Sequence, residues 1–133
     1  MGILSGKRPA GLGVTGGKLK PPPSSPNAVS SQAGDAHQIA PLAYKGSLQA
    51  AMTALKGIVD STPHTHVVEI RPDYLYAEYA SALLGFVDDV EFYFPPGGNI
   101  IHVRSASRLG YSDLGVNRKR IEAIRARLVQ TGA

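Results

Sequence analysis

Val87 to Phe94 alternates apolar and polar residues, stops at Pro95-Pro96-Gly97-Gly98-Asn99, and is answered by Ile100 to Ala106. Alternation with a period of two is the mark of a half-buried strand, because successive side chains on extended backbone point to opposite sides. Consecutive prolines and glycines supply turn geometry and end both runs. The segment is therefore constrained to an antiparallel hairpin. Val90, Phe92 and Phe94 lie on one face, and Ile101 and Val103 return on the same side. A second hairpin precedes it: His66 to Arg71, a tight turn at Pro72-Asp73, then Tyr74 to Ser81.

Helices flank the strands. Ser47 to Val59 repeats Leu48, Ala51, Met52, Leu55, Ile58 and Val59 at helical spacing, with Ser47 as N-cap and Pro63 just beyond the end. A final helix is expected from near Asp113 or Asn117 to about Gln130, with Ile121, Ile124 and Leu128 as its apolar stripe. The order helix, four strands, helix predicts an α+β domain over residues 43–133. It is an antiparallel sheet of about four strands with both helices on one face. Residues 1–42 are rich in Gly, Pro and Ser, and Lys20-Pro21-Pro22-Pro23-Ser24-Ser25-Pro26 favours polyproline II over helix. Leu12, Val14, Leu19, Val29, Ile39 and Leu42 suit this segment to lie across the core as a long extended N-terminal strap.

The second face of the sheet follows from register. A two-residue turn at Pro72-Asp73 sets Glu69 opposite Tyr76 and Val67 opposite Glu78. Apolar residues of the other hairpin must share a face, which leaves Asp89, Glu91, His102 and Arg104 together on the far side. Glu69, Tyr76 and Glu78 join them. The simpler expectation is a solvated face with cross-strand ion pairs. The sharper one is a polar groove, partly roofed by the strap. Asp88, inward-pointing near the sheet end, needs a partner.

Charge is unevenly spread. The net charge is +4, yet residues 65–104 hold two basic and six acidic residues, and residues 105–133 hold six basic and two acidic. An acidic sheet joined to a basic helix is not the pattern of a nucleic-acid binder. The absence of cysteine excludes disulfides, thiolate metal sites and cysteine nucleophiles. No apolar run nears the ~20 residues that cross a bilayer, and the N-terminus lacks the apolar core of a secretory signal. The expected compartment is the cytoplasm by default, or an organelle interior if a transit peptide has been removed.

From His102 to Arg120 the chain sets arginines, hydroxyls, a tyrosine, an aspartate and an asparagine between a strand and a helix. The binding candidates are Arg104, Ser105, Ser107, Arg108, Tyr111, Asp113 and Asn117, with Glu78 and Glu91 nearby. The arginines would grip anionic groups bidentately, and Tyr111 would offer an aromatic face with a polar tip. The structural alternative is that Arg104 and Arg108 tie strand, turn and helix through carbonyls, while Asp113 and Asn117 cap. Ser105, Ser107 and Ser112 with His102 as base lack a nucleophile elbow. Gly11-Leu12-Gly13 lacks the lysine-serine pair of a phosphate loop. His64 and His66 have strand spacing for zinc, but a third ligand is needed and the register puts His102 on the opposite face. No catalytic set, metal or cofactor is expected.

The stretches Pro26-Asn27, Val29-Ser30-Ser31-Gln32, Phe86-Val87-Asp88-Asp89-Val90-Glu91-Phe92 and His102 to Arg120 resemble domain-of-unknown-function family 1499. The resemblance runs from about Leu12 to Leu128 and implies an ordered strap but no established reaction. That family usually carries two cysteines at the positions of Pro22 and Ala28, and neither is present. A strap of this sequence must be held by packing and hydrogen bonds alone.

The reading these residues favour is a non-enzymatic binding or accessory protein that docks on a protein complex or holds a small polar or anionic ligand. One alternative is a hydrolase-like enzyme using His102 with Glu91 or a nearby hydroxyl. Another is an anionic-membrane adaptor acting through the basic C-terminal helix.

Overall fold

The computed structural model describes residues 5–81 and 84–133. Its elements are β1 (Ala28–Ser30), β2 (Leu42–Ala43), α1 (Leu48–Asp60), β3 (Thr65–Arg71), β4 (Tyr74–Ala80), β5 (Val87–Tyr93), β6 (Ile100–Ser107) and α2 (Val116–Thr131). The sheet runs β1-β6-β5-β4-β3, with β2 pairing further along β6. Every pairing between these strands is antiparallel. The chain is α+β as expected, with six strands rather than four. Strands β1 and β2 are three and two residues long. Neither is long enough to show an alternation, and their partner lies far along the chain.

Helix α1 starts where the Ser47 hydroxyl accepts the Ala50 N–H at 3.1 Å, and its stripe of Ala51, Met52, Leu55, Ile58 and Val59 is buried. It shares one core with Ile121, Ile124 and Leu128 of α2 and with Leu75, Val90, Phe92, Ile101 and Val103 of the sheet. Both helices thus cover one face.

The register departs from expectation at one place. Glu69 faces Tyr76, but Val68 is an extra residue: Val67 faces Ala77 and His66 faces Glu78. The expected Val67–Glu78 pair is absent, and His66 lies on the same face as His102 rather than the opposite one. The bulge lets two consecutive valines both be covered. Val67 packs on the helix-side core and Val68 on the other side of the sheet.

That other side is covered, which corrects the expectation of a solvated face and agrees with the alternative of a polar face partly roofed by the strap. Leu19 packs with Tyr74, Tyr76 and Tyr93, joined by Leu12, Val14 and Val68. The strap thus makes a third layer, because its apolar residues find tyrosine rings among the charges. Val29, Ile39 and Leu42 belong instead to the helix-side core. Polar contacts add to the packing: the Leu19 N–H donates to Gln32 Oε1 at 2.8 Å, and Lys20 Nζ to the Ala10 carbonyl at 2.8 Å.

The four arginines of α2 act as stitches. Arg118 donates to the Gln38 and Ala36 carbonyls, and Arg125 to those of Pro41 and Ala40. Arg127 reaches the Ile58 carbonyl and the Ser61 hydroxyl at the end of α1, where a cation is favoured. Arg120 supplies the partner that Asp88 requires, at 2.7 Å, and stacks its guanidinium 4.8 Å from the Tyr79 ring centre.

One loop contact carries a pH signature. His37 bonds the Ser25 carbonyl through Nε2 and Asp35 through Nδ1, each at 2.8 Å. The carbonyl, then the carboxylate, hold its pKa above the ordinary imidazole value. Folding therefore takes up a proton between the unfolded value, about 6.5, and the higher folded one. The stabilisation is complete below about pH 6.5 and fades as pH rises through the folded pKa. In urea melts, His37→Ala should lose more against the parent at pH 5.5 than at pH 8.5; equal losses would contradict this.

Candidate functional site

The candidate residues fall into three groups. The first joins β6 to α2. Asn117, 0% exposed, accepts from Ser105 Oγ at 2.6 Å and from Arg120 at 2.8 Å. Its amide donates to Ser107 Oγ at 2.9 Å, to Asp113 at 2.8 Å and to the Asn27 carbonyl at 3.2 Å. Asp113 accepts the Gly115 and Asn117 N–H groups at 2.8 and 3.0 Å and so caps α2. Burial pushes its carboxyl up, but these hydrogen bonds outweigh that and hold it below the usual range. Ser105, Ser107, Asp113 and Asn117 are thus brought together at one junction, the first and last buried and the other two half-buried. Tyr111 stands apart, 73% exposed.

The second group lies under the strap. Arg108 Nε and Nη2 donate to the two oxygens of Asp89 at 2.9 and 2.8 Å, and Nη2 also reaches Glu78. Tyr76 donates to Asp89, and Arg8 of the strap reaches Glu78 at 2.7 Å. Burial pushes the Glu78 carboxyl up, but Arg8 and Arg108 outweigh it and keep the group ionised below the usual carboxylate range. Every charge here has a counter-charge.

The third group is Glu91 and Arg104, facing each other across β5 and β6. Glu91 is 0% and Arg104 4% exposed. Glu91 Oε2 accepts from Tyr74 at 2.6 Å and from the Gly13 N–H of the strap at 2.7 Å. Its Oε1 lies 4.0 Å from Arg104 Nη1, too far for a hydrogen bond. Arg104 Nη2 donates to the Pro21 carbonyl at 3.3 Å. Among the described residues, Arg104 Nε, Arg104 Nη1 and Glu91 Oε1 have no hydrogen-bond partner. Burial pushes the Glu91 carboxyl up and the Arg104 guanidinium down. The two charges are under-compensated where their neighbours are not.

Arg104 lines a cleft of about 560 Å³ between strap and sheet, with Lys7, Lys20, Pro21, Asp89 and Arg108 among the other residues around it. His102 does not meet Glu91. Its Nδ1 pairs with Ser31 Oγ at 3.0 Å, while the same hydroxyl oxygen accepts the Val103 N–H at 2.8 Å. No group of three or more histidine or acidic side chains able to hold a metal occurs among the described residues.

Sequence reasoning did not single out Tyr74, Ser31, Lys7 or Lys20. Tyr74 had a signal, since it is two residues from Tyr76 and so shares its face. Ser31 and the two lysines belong to the strap and the loop after it, whose path depends on contacts with distant residues.

Fold and site together define a class: an α+β protein whose antiparallel sheet is covered by helices on one face and by an extended strap on the other, over a buried arginine. The chain belongs to the family described as "Protein of unknown function (DUF1499)", whose model matches residues 18–128. No curated protein and no solved structure matches it. Among the described residues, no helix is long and apolar enough to cross a membrane.

Proposed function

We propose that this is a non-enzymatic binding protein that holds a small anionic ligand between strap and sheet, at Arg104. One observation carries the reading: a buried arginine keeps the N–H groups of Nε and Nη1 without acceptors while lining a cleft. A buried donor left unmade costs about 1–3 kcal/mol, more when it is charged. A ligand oxygen recovers that cost and adds the charge that Glu91, at 4.0 Å, supplies incompletely. The electrostatics agree, since Lys7, Lys20, Arg104 and Arg108 line the cleft against the single carboxylate of Asp89. His102 pairs with the Ser31 hydroxyl rather than with Glu91, which leaves the hydrolase alternative a hydroxyl but no acid.

Inorganic phosphate is the probe. Calorimetric titration at low salt is expected to saturate and to weaken as salt rises. Arg104→Gln should cost at least about tenfold in affinity, since a charge-assisted hydrogen bond contributes ~1.5–3 kcal/mol. Lys20→Ala, which also removes the bond to the Ala10 carbonyl, should weaken binding less. An isotherm that never saturates, or one unchanged in both variants, would refute the site.

A further inference from the structure

Resting on that reading, we infer that the ligand is an organic anion: a phosphate or carboxylate head on an apolar body seated against the strap's prolines. The first ground is size. About 560 Å³ lies within the ~300–1,000 Å³ of pockets that enclose whole small molecules. It is many times the ~30 Å³ share of one water. A bare inorganic anion at Arg104 leaves most of the space unfilled.

The second ground is the chemistry of the walls. Pro9, Pro21, Pro22 and Pro23 line the cleft with Ala106. Proline has no N–H to donate, and the Pro21 carbonyl already accepts from Arg104. The prolines present ring carbons to the cleft and no N–H, beside the polar side chains of Ser107 and Asp89. A polar sugar or peptide body would lose its water contacts here with little to replace them. An apolar body loses nothing polar and gains the burial of its surface.

The third ground is where the polar groups fall. The cations Lys7, Lys20 and Arg104 line the same cleft as the prolines, so head and body are recognised by different side chains. The head takes the N–H groups of Arg104 that lack acceptors, and the body takes the prolines.

Inorganic phosphate, phenyl phosphate and benzoate, each titrated into the full chain, separate these ideas. The expected result is that phenyl phosphate or benzoate binds at least about tenfold tighter than inorganic phosphate, the tighter of the two naming the head group. Pro22→Ser, on a half-exposed position of the strap, should shrink that advantage while leaving inorganic phosphate affinity unchanged. If inorganic phosphate saturates the protein as tightly as both organic anions, the organic body is refuted and the anion site stands. If none of the three saturates, the anion site itself fails and water alone satisfies Arg104.

Discussion

Arg108→Ala is expected to lower the unfolding free energy by about 3–5 kcal/mol at neutral pH, because removing one partner of a buried ion pair leaves charge uncompensated. The Arg108 side chain is 2% exposed and is shared by two carboxylates, Asp89 and Glu78. Arg8 also reaches Glu78, but its side chain is 52% exposed and cannot stand in for a buried guanidinium that grips both oxygens of Asp89. The loss should diminish in acid. Glu78 has a lowered folded pKa, so its contribution is present above the unfolded value of about 4.3 and disappears as pH falls through the folded one. Urea unfolding of parent and variant at pH 7 and pH 4 checks both statements. A loss under about 1 kcal/mol at pH 7 would mean that the cluster is solvated and the strap does not seal it.

Asn117→Ala should cost about 2–4 kcal/mol. A single side chain there satisfies hydroxyls of β6, the Asn27 carbonyl beside β1, and Arg120 of its own helix. Truncation leaves several buried groups dry, at roughly 1–3 kcal/mol for each that finds no water. The damage should be local to the β1, β6 and α2 junction. Hydrogen exchange is therefore expected to rise at Ala106 and Ser107 before it rises at Leu75 or Phe92 in the middle of the sheet. Uniformly raised exchange, or a cost under about 0.5 kcal/mol, would show that the junction is not a separate hub.

The two central hairpins were legible because each is local. Alternation and turn residues lie within one short window, and the shared face of Glu78, Asp89, Glu91 and Arg104 follows from pairing alone. The helix stripes were legible for the same reason. That the strap roofs the polar face was legible only as one of two alternatives, and its path was not. A row of charged and tyrosine residues on a strand reads as solvent-facing. Only the path of residues 5–26, fixed by Leu12, Val14 and Leu19 finding distant tyrosine rings, turns that face into an interior. The bulge at Val68 carries no glycine to announce it; two adjacent valines fit either register until both layers are known. The candidate site was half visible. Its arginines and carboxylates could be named, but sequence could not show that Arg108 is fully paired while Arg104, four residues away on the same side of the chain, is not.

The central claim is that Arg104 has N–H groups waiting for an anion, and the most direct measurement watches one of them. With arginine side chains isotope-labelled, the Nε–H resonance of Arg104 is followed by NMR as inorganic phosphate is added at constant low ionic strength. The account predicts a shift that saturates for Arg104, while the Nε–H of Arg108, already bonded to Asp89 at 2.9 Å, moves far less. An Arg104 resonance that stays in place, or that moves linearly and in step with exposed Arg71, would contradict it.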